Sequence, residues 1–212
     1  MRNEQNNPLF ELLFPTDAVC FACNRPAIVN EQGLCVACAP RVLLAGHRPP
    51  GAGLDGLVAD HIYAPALHPA MHRFKYGGER YLARYFAAAI ALPAEWLTAV
   101  PVAVPLHPRR QKERGFNQSD YLVRALRLRY PLPKQEALLT RRKETAAQAQ
   151  LTAEQRAQNI QGAFVAAPSA RGKAILLVDD VATTGSTLRA CALALREQGA
   201  ATVFAACACI AE

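Results

Sequence analysis

The sequence predicts an α/β fold, a mostly parallel sheet flanked by helices, with a small cysteine-bearing unit ahead of it. Three observations carry this. The 212 residues suit one domain of roughly 150–170 residues plus an appendage. From residue 57 onward, short apolar runs alternate with helix-like segments, as in strands joined by covering helices. Before that alternation, Cys20-Phe-Ala-Cys23 and Cys35-Val-Ala-Cys38 are separated by eleven residues. Hydrophobic residues make up 51% of the chain and charged residues 19%, which is core-forming material and not the composition of a disordered polymer.

The elements follow in order. Leu9, Phe10, Leu12, Leu13 and Phe14 form a short helix-like cluster ending at Pro15. The paired cysteines have zinc-ribbon spacing: each C-x2-C turn aims two thiolates at one point about 2.3 Å away, and four close a tetrahedron with no open position. Cys20, Cys23, Cys35 and Cys38 are therefore expected to hold a structural zinc, a redox dithiol being the weaker alternative for a doubled motif. So short a unit has too little core to stand without such a staple. Residues 1–46 are assigned to this helix and ribbon, and His47–Gly56, rich in proline and glycine, to a linker. Within the sheet domain, 57–212, strands are expected over Val58–Tyr63, Val100–Leu106, Ala137–Thr140, Ala174–Val178 and Thr202–Ile210. Helices are expected over Ala66–Lys75, Tyr81–Leu92, Gln118–Arg129, Leu151–Asn159 and Ser186–Gln198. Cys191, Cys207 and Cys209 fall in this domain and are read as buried, inert thiols, and His47 as a surface residue.

The net charge of +7 is not evenly spread. Residues 71–143 hold 15 lysines and arginines against 5 acids, and the rest of the chain 9 against 12. Such a stretch suits a polyanion, either nucleic acid or phosphates, or is simply a set of solvated helix faces. The first fifteen residues lack an apolar signal core, and the apolar stretch Tyr85–Pro108 is broken by Glu95 and four prolines, so neither a secretory signal nor a membrane span is expected. The expected location is the cytoplasm, where cysteines stay reduced.

The richest string is AILLVDDVATTGSTLRACALALREQG. An apolar strand ends at Asp179 and Asp180, a turn of small residues follows, and a helix begins at Ser186. Gly185 permits close backbone approach, while Thr183, Thr184, Ser186 and Thr187 bring hydroxyls to the unpaired amides of a helix N-terminus, where a phosphate binds. Carboxylates at a strand's carboxyl end accept hydrogen bonds from sugar hydroxyls. A phosphate beside a diol describes a phosphorylated ribose. A plain helix cap needs only one such side chain. Neither G-x-x-x-x-G-K-[ST] nor G-x-G-x-x-G occurs in the chain, which disfavours nucleotide triphosphatase chemistry.

This string resembles the 5-phosphoribosyl-1-pyrophosphate (PRPP) signature of type I phosphoribosyltransferases. Together with the ribbon, MHRFKYGGERYLA (71–83), VPLHPRRQKERGFNQS (104–119), RRKETAAQAQL (141–151) and RAQNIQGAF (156–164), it resembles the ComF family over nearly the whole chain. These are competence-associated, phosphoribosyltransferase-like proteins. The resemblance implies that Asp179 and Asp180 hold the ribose hydroxyls, that Ala182, Thr183, Thr184, Gly185, Ser186 and Thr187 hold the 5-phosphate, and that the loop Pro105-Leu106-His107-Pro108-Arg109 faces the pyrophosphate. The four cations Arg109, Arg110, Lys112 and Arg114, within six positions and next to Gly115, suit that role, or are simply a solvated charged loop. Magnesium would accompany PRPP, with few direct protein ligands. Arg141, Arg142 and Lys143 fall where this fold class carries a loop that closes over the site, giving them a catalytic role toward the leaving pyrophosphate, and Arg156 and Asn159 would support that loop. Lys75 joins the ligand-binding candidates from His72–Tyr76, a mix of cations and aromatics suited to stacking a base or equally to an amphipathic helix.

Two functions follow. One is a PRPP-binding protein of the ComF type, acting in natural competence on imported single-stranded DNA beside a helicase-like partner. The alternative is a catalytically active, magnesium-dependent phosphoribosyltransferase of nucleotide or base metabolism with no DNA role. No nucleophile motif or glutaminase unit is present.

Overall fold

The computed structural model describes residues 19–142 and 162–211. Past the cysteine-bearing segment the elements are β1 (Leu44–Arg48), β2 (Gly56–Ile62), α1 (His68–Tyr76), α2 (Ala83–Phe86), β3 (Val100–Ala103), α3 (Pro108–Arg114) and α4 (Gln118–Arg129). They continue with β4 (Leu139–Arg141), β5 (Phe164–Ala166), β6 (Ala174–Ala182), α5 (Ser186–Glu197) and β7 (Thr202–Ile210). A five-stranded sheet has the order β1-β2-β7-β6-β3, and β4 and β5 form a separate pair. β2, β7, β6 and β3 are mutually parallel, and β1 adds an antiparallel edge. This is the mostly parallel, helix-flanked sheet that the alternation predicted.

Cores lie on both faces, so the central strands read as continuous apolar runs. Leu176 and Val178 of β6 face a core shared with Phe74, Phe86, Leu122 and Leu126. Ile175 and Leu177 face the other, with Leu188, Cys191 and Leu195 of α5. Cys191, Cys207 and Cys209 are buried as expected, and burial pushes all three thiols above their ordinary range. Among the described residues no helix is long and apolar enough to cross a membrane.

The cysteine-bearing segment packs onto the first of these cores. Phe21 stacks on Tyr85 at 5.0 Å and meets Phe86 edge-on at 5.8 Å. Arg73 of α1 donates to the carbonyls of Phe21 at 2.6 Å and Ala22 at 3.4 Å, and is held by Glu79 at 3.0 Å. Gly33 has φ +75°, and a Cβ there would lie 2.4 Å from the Tyr85 ring. Only glycine serves both the backbone and the close approach.

Several elements differ from expectation, each for a physical reason. β6 continues through Asp179 and Asp180 to Ala182, because β7 pairs with it as far as Ala182↔Ile210 and overrides the low strand propensity of aspartate. β3 stops at Ala103 rather than Leu106, shortly before Pro105, which has no amide to donate. The helix expected over Tyr81–Leu92 is one short turn, α2, followed by irregular chain. There side chains satisfy the backbone: Asp60 accepts from the Ala89 amide at 3.1 Å, and the Tyr130 hydroxyl donates to the Ile90 carbonyl at 2.7 Å. Pro108–Arg114, read as a cationic loop, is the helix α3. Pro108 opens it, His107 Nδ1 accepts from the Arg109 amide at 3.3 Å, and Gly115 closes it. β5 and the edge strand β1 were not anticipated, and β1 takes in His47 and Arg48 from the segment read as a linker. The cluster Leu9–Phe14, the helix expected over Leu151–Asn159, Arg156 and Lys143 lie outside the described residues.

Candidate functional site

The sulfurs of Cys20, Cys23, Cys35 and Cys38 all lie within 4.8 Å of one another. Tetrahedral thiolates about 2.3 Å from zinc have edges of about 3.8 Å, and the Cys23–Cys35 sulfurs stand 4.0 Å apart. Both knuckles fold back by backbone bonds, Asn24 N to Cys20 O at 2.8 Å and Cys38 N to Cys35 O at 3.0 Å. Asn24 takes φ 61°, a left-handed conformation that asparagine tolerates. The Cys35 amide donates to Cys20 Sγ at 3.4 Å, tying the two knuckles together. The cluster can hold a metal such as zinc, and its donor set is thiolate only.

A second assembly surrounds the acidic pair at the end of β6. Asp179 and Asp180 are 9% and 5% exposed. Lys75 Nζ, brought by α1, lies 2.9 Å from Asp180 Oδ1. The first turn of α4 supplies two more partners: Gln118 Nε2 donates to Asp180 Oδ2, and Ser119 Oγ donates to Asp179 Oδ1 at 3.3 Å. The Asp180 amide closes on Asp179 Oδ1 at 2.8 Å. Asn117 anchors that turn, accepting from the Ser119 amide at 3.1 Å and donating to the Val104 carbonyl at 3.0 Å. The positive end of α4 thus faces two carboxylates. Arg114 Nη1 donates to Gln118 Oε1 at 2.7 Å, so one chain of contacts joins Arg114, Gln118, Asp180 and Lys75.

The electrostatics follow from burial. Burial, then the neighbouring charge of Asp180, pushes the Asp179 carboxyl up to about 7. Burial alone would depress the Lys75 ammonium, but the charge and hydrogen bond of Asp180 outweigh it and hold it above its ordinary value. Arg141, 7% exposed, is lowered by burial and by the nearby Arg110. Two acids and several cations therefore share one space.

That space is a cavity of about 260 Å³. Of the residues singled out from the sequence, Lys75, Leu106, Arg141, Asp179, Asp180, Thr183 and Thr187 line it. Thr184, Gly185 and Ser186 form the turn between Thr183 and Thr187. Gly185 has φ 69° and α5 begins without a side-chain cap, leaving its first amides directed at the turn, with Thr184 Oγ1 accepting weakly from the Ser186 amide at 3.4 Å. Ala182 is buried at the end of β6. His107 and Arg109 are not in the lining. His107 caps α3, and Arg109 pairs with Glu113 at 3.0 Å on an exposed helix face, because one turn of helix sends Arg110 and Arg114 inward and Arg109 outward. Arg142 is exposed beyond β4 and is likewise outside the lining. Arg110 and Arg114, grouped in the sequence with Arg109 toward the pyrophosphate, line the cavity, whereas Tyr63, Gln118 and Ser119 are site residues that the sequence reading missed. The proline-to-glycine frame of α3 is a signal that separates Arg110 from Arg109, but nothing local announces that Gln118 will meet an aspartate 62 positions away.

An acidic pair at the carboxyl end of a parallel strand, beside a hydroxyl-rich turn at a helix N-terminus, defines a phosphoribosyltransferase-type α/β protein. Residues 122–211 match the family model of the phosphoribosyl transferase domain. The chain is 34% identical over 218 residues to the DNA utilization protein YhgH of Salmonella typhi, covering 90% of this chain and 96% of that protein. It is 33% identical over 156 residues to competence protein F of Haemophilus influenzae, 68% of each, and 31% identical over 139 residues to competence protein ComFC of Streptococcus pneumoniae, 65% of this chain and 60% of that one. The chain belongs to the ComF family.

Proposed function

We propose that the cavity binds PRPP with magnesium and that the protein serves DNA utilization of the competence type, acting on single-stranded DNA in the cytoplasm. One observation carries the ligand: Asp179 and Asp180 and the Thr183–Thr187 turn border one cavity with Lys75, Arg110, Arg114 and Arg141. Acids beside a phosphate-binding turn suit a ribose 5-phosphate, and cations across the cavity suit a pyrophosphate. In this reading Asp179 and Asp180 take the ribose hydroxyls on their remaining lone pairs, with Lys75 and Gln118 holding Asp180 in place. The turn takes the 5-phosphate. Arg110 and Arg114 take the pyrophosphate side in place of Arg109, with Arg141 stabilising it as it leaves if turnover occurs. Magnesium needs only one or two carboxylates beside substrate oxygens, a set that Asp179 and Asp180 supply. The four thiolates would hold one structural zinc. The names of the relatives support the DNA role.

Ligand-induced stabilisation tests the donor reading. PRPP with magnesium at a hundred times its Kd stabilises the folded protein by about 2.7 kcal/mol. Asp179→Asn with Asp180→Asn is expected to remove that rise in Tm, and a shift that survives the double substitution overturns the ribose assignment. Pyrophosphate release on adding candidate nucleobases separates an active transferase from a binding protein. Metal analysis of protein purified without chelator is expected to find one zinc per chain, and none in Cys35→Ser.

A further inference from the structure

The basic stretch 71–143 divides in the fold. Lys75, Arg110, Arg114 and Arg141 line the cavity. Arg80, Arg124 and Arg127 do not, and among the described residues they have no carboxylate at ion-pair distance. α4 explains the separation. Leu122, Val123 and Leu126 bury one side of it, while Tyr121, Arg124, Arg127 and Leu128 follow at helical spacing on the other. Leu128 is 89% exposed. Arg80, arriving from the turn before α2, donates from Nη1 to the Tyr121 hydroxyl at 3.1 Å. Its guanidinium lies 4.9 Å from the Phe116 ring centre and 5.4 Å from that of Tyr121, and Arg124 lies 4.8 Å from Tyr121. Phe116 and Tyr121 meet edge to face at 5.7 Å.

We infer that the outer face of α4, with Arg80, is the surface on which this protein lays single-stranded nucleic acid, apart from the ligand cavity. Guanidiniums held over aromatic rings keep their planes oriented, lose less freedom on binding, and offer a flat cationic face to a base. Cations without acidic partners attract a backbone of phosphates, and an exposed leucine among them accepts the apolar face of a base. This pairing of charge with stacking suits an unpaired strand, whose bases are accessible, and is wasted on a duplex. From Tyr121 to Arg127 the helix rises about 9 Å, room for two to three nucleotides at 3.4 Å each. The proposal rests on the DNA role above and gives that role a place on the molecule.

The test is fluorescence anisotropy of a labelled oligo-dT of about twenty nucleotides, titrated with the full chain between about 50 and 200 mM salt, a range over which phosphate contacts weaken steeply. Arg80→Ala/Arg124→Ala/Arg127→Ala is expected to lower the log–log salt slope by about 2, at about 0.7 per lost phosphate contact, and to weaken binding roughly tenfold at the low-salt end. The PRPP-induced rise in Tm should be unchanged. The triple lysine variant keeps the charges and fold and is expected to retain most of the slope yet bind more weakly, because the stacked planes are gone; binding equal to wild type overturns the stacking surface. If wild type binds DNA and the alanine triple binds it with the same slope, the location is wrong while the DNA role stands. If wild type shows no salt-dependent binding, the DNA role falls and this surface with it. Polyglutamate competing as well as oligo-dT at equal charge makes the face a site for acidic protein and overturns the proposal.

Discussion

Lys75 and Arg124 come from the same basic stretch and end in opposite settings. Lys75 has a side chain 21% exposed and lies 2.9 Å from the buried Asp180, inside a chain of contacts that reaches Arg114 through Gln118. Arg124 is exposed, rests on Tyr121 and has no acidic partner among the described residues. In the first setting solvent is scarce and charge must be matched locally, so the cation depends on a specific acid. In the second, water and salt do the matching, and the cation is available to a partner. The same composition thus yields one region whose charges hold the fold and another whose charges leave it unaffected.

Substitution at the two positions should expose this difference most strongly. Lys75→Met leaves Asp180 buried without its cation and is expected to cost about 3 kcal/mol, the lower end for a broken buried pair because Lys75 keeps some exposure. Arg124→Met is expected to stay within about 0.5 kcal/mol. Urea denaturation of both variants measures the gap, and equal costs break the comparison.

Loss of Gln118 is a smaller probe of the same region. Gln118→Leu removes the donor to Asp180 and the acceptor of Arg114, and is expected to cost about 1–3 kcal/mol for the buried carboxylate left short of a partner. It should also reduce the PRPP-induced Tm shift while leaving oligo-dT binding intact. A variant that binds PRPP as wild type does would show that Asp180 needs no positioning from α4.

Acidity separates the two regions again. Asp179 is raised by burial and by Asp180 to about 7, so between the ordinary carboxylate value and pH 7 the folded protein holds a proton that the unfolded chain has released. Its stabilising contribution is present at low pH and is lost as pH rises toward 7. Unliganded Asp179→Asn should therefore show a flatter fall in stability from pH 5 to 8 than wild type. Asp60, pushed up to about 8 by burial, adds a fall of the same sign to both proteins, so their difference isolates Asp179. PRPP affinity should weaken below pH 7, by up to tenfold per unit, if Asp179 holds the ribose as proposed and takes up a proton there. Oligo-dT affinity should hardly change over pH 6–8, because guanidiniums stay charged. Parallel pH dependence of the two ligands would place them in one site.

The parts of the site legible in the sequence were those built from neighbours along the chain. The C-x2-C knuckles close through backbone bonds a few residues long, and Thr183–Thr187 turn because Gly185 and an uncapped helix start follow one another. The final strand and α4 were placed correctly because their apolar periodicity spans the whole element. Arg109 was grouped with Arg110 and Arg114 because α3 was read as a loop, and without a helix there is no way to tell inward from outward. β6 was ended too early because aspartate is a poor strand residue, whereas its pairing with β7 joins Asp179 to Cys207, 28 positions later.

The sequence by itself determined a mostly parallel α/β protein, a four-cysteine cluster, and an acidic pair beside a hydroxyl-rich turn. These depend on periodicity, short spacings and turn chemistry. Only the tertiary structure decided that Lys75, Gln118 and Ser119 meet those acids, that Arg73 on the helix carrying Lys75 also grips the cysteine-bearing segment, and that the basic stretch separates into a cavity lining and an outer face. Such contacts join residues from about 50 to more than 100 positions apart. They form where two faces are packed together, and which faces meet is set by burying the core as a whole, a constraint that no single stretch of the chain contains.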